Sequence, residues 1–305
     1  MTKQLIKAKF QFLFEKVKVL KIKELSYHPE VRGILFSLEA ILRLHLRGDF
    51  FNSKEIQILN KALVRLKTLE DALGVYSYAY EIQDYMFQKT KQKPKCLKKN
   101  VKQSKKVFKK SYKYQVKQLK KSYQDLIKLA WPNVATFIPK LLNLEITRIN
   151  NKNDTKLKPL ILKKKYSDYE VQEGIHEWRR MLRWVSIYFQ AYKSLFYLTP
   201  EIPAIPQEKE LVRLYKKDPF CILGPKSAPI KVSSLAFYQL SDFIKRVGNL
   251  KSEAEIVKSL AQFKLKIPKT FKEAQAHEIY KEYEQSDVLN KLQIKENKNA
   301  VPKKS

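Results

Sequence analysis

Apolar residues recur at helical spacing along most of the chain. Leu5, Phe10, Leu13, Phe14, Val17 and Leu20 make one stripe over residues 3–25, with Lys on the other face. The pattern breaks at Ser26 to Pro29. It resumes over His28 to Arg47 as Ile34, Leu35, Leu38, Ile41 and Leu42, and stops at Gly48-Asp49. A third stretch opens at Ser53, a predicted N-cap with Glu55 in its first turn, and reaches Leu73-Gly74. The glycine predicts a bend, after which helix continues to about Gln88. Val101, Phe108, Tyr112, Val116 and Leu119 keep a sparse helical period through a Lys-rich run, which predicts a long basic helix ending near Trp131-Pro132. For residues 89–100, where Pro94 interrupts, the alternative is a disordered polycation. Residues 134–149 carry another apolar stripe, and the polar run Asn150 to Thr155 reads as a divider.

The second half opens with Leu157 to Lys165, followed by a helix through His176 to about Tyr197. Residues 199–229 hold six of the 13 prolines and little periodicity apart from Glu208 to Lys216, so they read as an insertion or long loop. Ser233 predicts the cap of a helix ending at Val247-Gly248. A further helix runs from Ser252 to about Phe263, and residues 270–296 read as polar and helical. These elements predict an all-α fold. Residues 1–150 form a first bundle that includes the Lys-rich helix; residues 151–296 form a second, with the Pro-rich insertion at 199–229; residues 297–305 form a disordered tail. The length of 305 residues suits one large domain or two modest ones, and 44% hydrophobic content suffices for real cores.

Charge narrows the function classes. The net charge of +32 implies a polyanionic partner: nucleic acid, polyphosphate or an anionic membrane surface. Residues 89–121 hold 15 Lys and no acidic residue. Arg is scarce by comparison, at 10 residues, yet six of these lie on two helices. At about 100° per residue, His176, Arg179, Arg180 and Arg183 fall within an arc of about 100°, away from Met181, Leu182 and Val185. His28, Arg32, Arg43 and Arg47 fall within an arc of the same width. A guanidinium offers a rigid fork that matches phosphate oxygens, so both sets are candidate anion contacts, and Lys163, Lys164 and Lys165 join them. The plainer alternative is that the Arg residues pair with nearby Asp and Glu and that each His serves a helix start or a core.

Two cysteines, Cys96 and Cys221, lack the spacing of a zinc or redox motif and read as free thiols of a reducing compartment. The first 20 residues have no apolar signal-peptide core, and no apolar run approaches membrane-spanning length. Nucleotide-binding, zinc-hydrolase and nucleophile-elbow motifs are absent, and neither a cofactor nor a metal is called for. A binding protein is therefore expected, not an enzyme.

The order of these features resembles the CHAD family, the conserved-histidine α-helical domain. His176-x-x-Arg179-Arg180-x-x-Arg183 matches its His/Arg helix, and Leu66-x-x-Leu69-x-x-x-Leu73-Gly74 its Leu-Gly element, with Leu240 to Gly248 a looser copy. The first repeat departs: His28 stands four residues before Arg32, and Phe36, Ser37 and Glu39 occupy positions that tend to be basic. The resemblance implies two bundles of about four helices each, related by a pseudo-twofold, with basic residues lining a shared surface. It also implies inorganic polyphosphate as ligand; with the free thiols, this makes a cytoplasmic location, free or on polyphosphate granules, the expectation. The residues by themselves leave a rival, single-stranded RNA or DNA, because Tyr112, Tyr114 and Tyr123 interleave with Lys. A scaffold for acidic protein partners is a third reading.

Overall fold

The structure, a computed structural model, describes residues 2–21, 24–25, 28–132, 137–163, 170–262 and 273–294. The chain is all-α apart from two four-residue strands among the described residues. It divides into two compact units, residues 1–134 with 252–271, and residues 135–251 with 272–305. The division thus falls before residue 135, not near 150, and the chain re-enters the first unit late. The tail at 297–305 lies outside the described residues.

In unit 1, α1 (Thr2–Val19) and α2 (Pro29–His45) precede two long helices, α3 (Ser53–Thr90) and α4 (Lys95–Leu126). Asn52, rather than Ser53, caps α3. Its side chain accepts from the Lys54 and Glu55 amides, while Glu55 Oε2 accepts from the Asn52 amide at 3.0 Å, a reciprocal capping box. Gly74 does not interrupt the helix, and α3 runs on for 38 residues. A mid-helix glycine costs about 1 kcal/mol relative to alanine. Burial of Tyr76, Ala79, Ile82 and Met86 beyond it outweighs that. The helix ends at Lys91, which takes the left-handed conformation.

Four residues later the chain reverses into α4. Ile82 and Met86 meet Leu97, Tyr76 stacks on Phe108 at 5.8 Å, and Arg65 donates to Gln118 O and Ser122 Oγ. Pairs that rise on one helix as they fall on the other make an antiparallel hairpin. The stretch 95–100, for which a disordered polycation was the alternative, is the first turn and more of α4. α1 lies against the hairpin through Phe10 and Phe14, whose rings contact Tyr123 at 5.3 and 5.9 Å.

In unit 2, α5 (Ile138–Lys152) continues without a break into a π-helical turn, Asn153–Leu157, and then α6 (Lys158–Ile161). The polar run 150–155 is therefore part of a rod, and Asn153 within it is buried. A second π segment, Glu170–His176, leads into α7 (Glu177–Ala191). The Pro-rich stretch is ordered structure: β1 (Phe196–Thr199) pairs in parallel with β2 (Ile230–Ser233), and α8 (Pro206–Tyr215) lies in the crossover between them. Phe196 packs on Phe189 and Gly224 donates to Phe196 O; a Cβ at Gly224 would lie 2.5 Å from Lys193 O, which explains the glycine. Buried Cys221 donates its thiol to Ser241 Oγ, and burial raises that thiol to about 11, so it is unreactive at neutral pH.

α9 (Ser234–Gln262) is a single helix, with Ser233 Oγ accepting from the Ala236 amide at its start. Val247-Gly248 lies inside it, and the unit boundary falls between Lys251 and Ser252. α10 (Glu273–Ser286) and α11 (Val288–Lys291) complete unit 2. α10 is amphipathic, not merely polar: Tyr280 and Tyr283 pack edge-on against Trp178.

His45 ends α2 fully buried among Phe50, Phe51 and Trp131, with Nδ1 donating to Ile41 O at 2.7 Å. Burial, only partly opposed by that hydrogen bond, lowers its pKa to about 4. Between pH 6.5 and 4 the unfolded chain therefore binds a proton that the folded chain refuses, and stability falls as pH falls through that window. Denaturant titration of wild type and His45→Leu at pH 7.5 and pH 5 measures the effect. The variant is expected to lose about 2 kcal/mol less than wild type over that interval.

Candidate functional site

The two His/Arg helices share an apolar-in, basic-out pattern, but the structure gives most of their guanidiniums protein partners. On α2 in unit 1, Pro29 at the first helical position fixes the start, and His28 precedes it with Nδ1 3.9 Å from Glu30 Oε2. Arg32 reaches across to Glu70 on α3 at 3.3 Å. Arg43 donates through Nε and Nη2 to Glu39 Oε1 at 2.9 and 2.7 Å. Arg47 is exposed in the turn after the helix.

Both acceptors are interior. Glu39 is 1% exposed, and burial raises its pKa although Arg43 pulls the other way. Burial also opposes ionisation of Glu70, yet Lys67 and Arg32 together hold its carboxyl below the usual range. Lys67 adds Asp71 as a second partner. Glu39, Arg43, Arg32, Lys67 and Glu70 are thus an internally compensated ion network, and an unpaired carboxylate at that depth would be costly. The sequence carried this signal in Glu39, an acid among expected bases.

In unit 2, the four members of the second set do not converge. Arg180 lies over Glu177 at 2.6 Å, and Lys152 of α5 binds the other oxygen of Glu177 at 2.6 Å. Burial opposes ionisation of Glu177, but these two cations hold its carboxyl below the usual range. His176 and Glu173 join them around an open cleft of about 290 Å³. Lys152 was not among the sequence candidates; its signal was its place at the end of an apolar-striped helix.

Arg179 points elsewhere. Its Nε approaches Ile244 O on α9 at 3.4 Å, and its guanidinium lies against bare backbone at Gly248, where a Cβ would come within 2.6 Å. The glycine of the second Leu-Gly-like element therefore makes room for an arginine from the His helix. Arg183 is half-buried on α7. Lys163 is exposed, with its carbonyl accepting from His277 at 2.8 Å; Lys164 and Lys165 lie outside the described residues.

The densest run of cations without such compensation lies on α4. All twelve of its lysines, from Lys95 to Lys121, are exposed, and among the described residues no carboxylate pairs with any of them. Two of the three tyrosines that interleave with Lys are committed to packing: Tyr112 donates to Val17 O, and Tyr123 sits against Phe10 and Phe14. Tyr114 is 61% exposed. No helix among the described residues is long and apolar enough to cross a membrane. No protein family, curated protein or solved structure matches the chain.

The contact between Arg179 and Gly248 is testable against Gly74, where an added Cβ would meet nothing among the described residues. Gly74→Ala should stabilise the protein by about 0.5–1 kcal/mol through helix propensity. Gly248→Ala should gain less or lose, because the methyl displaces the guanidinium. In an Arg179→Ala background Gly248→Ala should recover the gain seen at Gly74; a double-mutant cycle read by thermal unfolding measures this coupling.

Proposed function

We propose that this protein binds inorganic polyphosphate, a linear polyanion without bases. The observation that carries this reading is the accumulation, on α4, of exposed lysines without carboxylate partners among the described residues, in a chain of net charge +32. Lys158, by contrast, sits beside Glu284. A field left uncompensated over a whole helix raises the local concentration of anions and is released from self-repulsion when they bind. The cleft around His176, Arg180 and Lys152 supplies a second, smaller group of cations, with Glu177 to be displaced when a phosphate enters.

A divergent CHAD-like duplication is part of the proposal. In both halves an arginine of the His helix reaches the residue four before the glycine on a later helix: Arg32 to Glu70 ahead of Gly74, and Arg179 to Ile244 ahead of Gly248. Two four-helix repeats related by a pseudo-twofold would produce that recurrence. The first has exchanged its anion contacts for the Glu39 and Glu70 network. The role is binding, with no catalytic step assigned.

Nucleic acid remains the second reading on the strength of Tyr114. A single exposed tyrosine does not make a platform for successive bases, which favours the base-free ligand. Competition on the full chain decides between them. At about 0.15 M salt, long-chain polyphosphate should displace single-stranded RNA of matched charge, and not the reverse. Binding should weaken with log salt by roughly 0.7 per phosphate contact. A flat salt response, or RNA displacing polyphosphate, would be the contrary result.

A further inference from the structure

The lysines of α4 form a linear array. On a helical wheel all twelve fall within an arc of about 160°, opposite Leu97, Val101, Phe108, Leu119 and Leu126, which are buried. Asp125, in the last turn, is the only acid on the helix. From Lys95 to Lys121 the helix rises about 39 Å, which sets one positive charge per roughly 3.3 Å of axis. One nucleic-acid strand carries a negative charge per about 3.4 Å of axis, so the pitch suits a polymer with one charge per short repeating unit.

Such an array is unfavourable in isolation. Lysines three and four residues apart repel, each pair by a few tenths of a kcal/mol. The helix persists because its other face is packed on α3 and α1, so the repulsion is held by tertiary burial and not relieved by acids. The flank of the stripe shows Val107 and Tyr114, 59% and 61% exposed and two turns apart. That is too sparse for stacking along the whole face.

We propose that the lysine face of α4 is a rail on which one extended polyphosphate chain lies along the helix axis, with about twelve phosphates filling it. This rests on the polyphosphate reading above and places the principal contact on α4, not on the His helices. It also predicts length selectivity. Affinity per chain should climb steeply up to about twelve phosphates and then flatten toward a gain set only by the number of registers.

The test uses the full chain with polyphosphates shorter than, equal to and several times longer than the rail. A rail variant carries Lys99, Lys106, Lys109 and Lys113 each replaced by Gln. A cleft variant of equal charge loss has Lys152 and Arg180 of the cleft, and Lys163 and Arg183 outside it, replaced by Gln. Because the four rail lysines have no ion-pair partner among the described residues, the rail variant should keep its helical circular dichroism and melt no lower than wild type. It should bind long polyphosphate at least about tenfold more weakly than the cleft variant, with the salt slope reduced by about 3. The same four positions changed to Arg should restore both.

If the cleft variant weakens binding as much or more, or if affinity keeps climbing steeply well past the rail length, the rail is overturned while the polyphosphate reading stands. If wild type binds no polyphosphate of any length at about 0.15 M salt, that reading fails with it. If single-stranded RNA displaces polyphosphate from wild type and the rail variant loses RNA, the ligand class is wrong.

Discussion

Packing of α4 against α3 is the contact on which the rest of unit 1 depends. The buried side chains of α4 recur on one face, and twelve lysines occupy the opposite one. With a mean hydropathy of −0.46 for the chain and twelve like charges on this one element, α4 would not hold as a free helix. It holds because Leu97, Phe108 and Leu119 are each about fully buried and Tyr76, Ile82 and Met86 of α3 complete the contact. The hairpin turn at Lys91 sets the register, and Arg65 pins the far end to Gln118 and Ser122. Apolar burial therefore keeps a dense row of cations in a rigid line, and rigidity is what makes a row of lysines a surface and not a cloud.

The arginines are used in the opposite way. Arg32, Arg43, Arg148, Arg180, Arg213 and Arg246 each contact a carboxylate, and Arg179 a helix backbone. Their planar forks fit fixed acceptors inside the fold, which a flexible ammonium does less well. The concentration of arginine on two helices, which points to anion recognition in the sequence, is to a large degree a concentration of internal ties. The division of labour is physical: Arg where a cation must be held in one geometry, Lys where it must stay hydrated and mobile.

Unit 2 shows how local irregularity serves placement. The π segment Glu170–His176 widens the helix just ahead of Glu177, and the π turn Asn153–Leu157 follows Lys152. The two segments flank the pair Lys152 and Glu177, so the cleft with His176 forms where two helices depart from regular winding. The parallel strands β1 and β2 tie both ends of the Pro-rich segment to the helical core, and Glu201 completes the tie by accepting from Ser233 Oγ and the Leu235 amide at the head of α9.

The apolar period of 3.6 residues determined the helical class, the positions of α1, α2, α4 and α5, and the basic face of α4, because those depend on spacing within one segment. Turn residues were less decisive. Gly74 reads as a bend and Gly248 as an end, yet both lie inside continuous helices, since burial on both sides outweighs one unfavourable propensity, and at Gly248 the missing Cβ serves Arg179 of another helix. The β1–β2 pairing was not legible, because each strand is four residues long and its partner lies about thirty residues away. Nor could spacing show which cations are compensated. His28, Arg32 and Arg43 share a helical face in the sequence as surely as the α4 lysines do. Only the tertiary structure brings Glu70 from α3 to Arg32 and Lys152 from α5 to Glu177, and leaves the α4 lysines without an ion pair among the described residues. Charge density is a property of one segment, whereas charge compensation is a property of neighbours, and neighbours are chosen by packing.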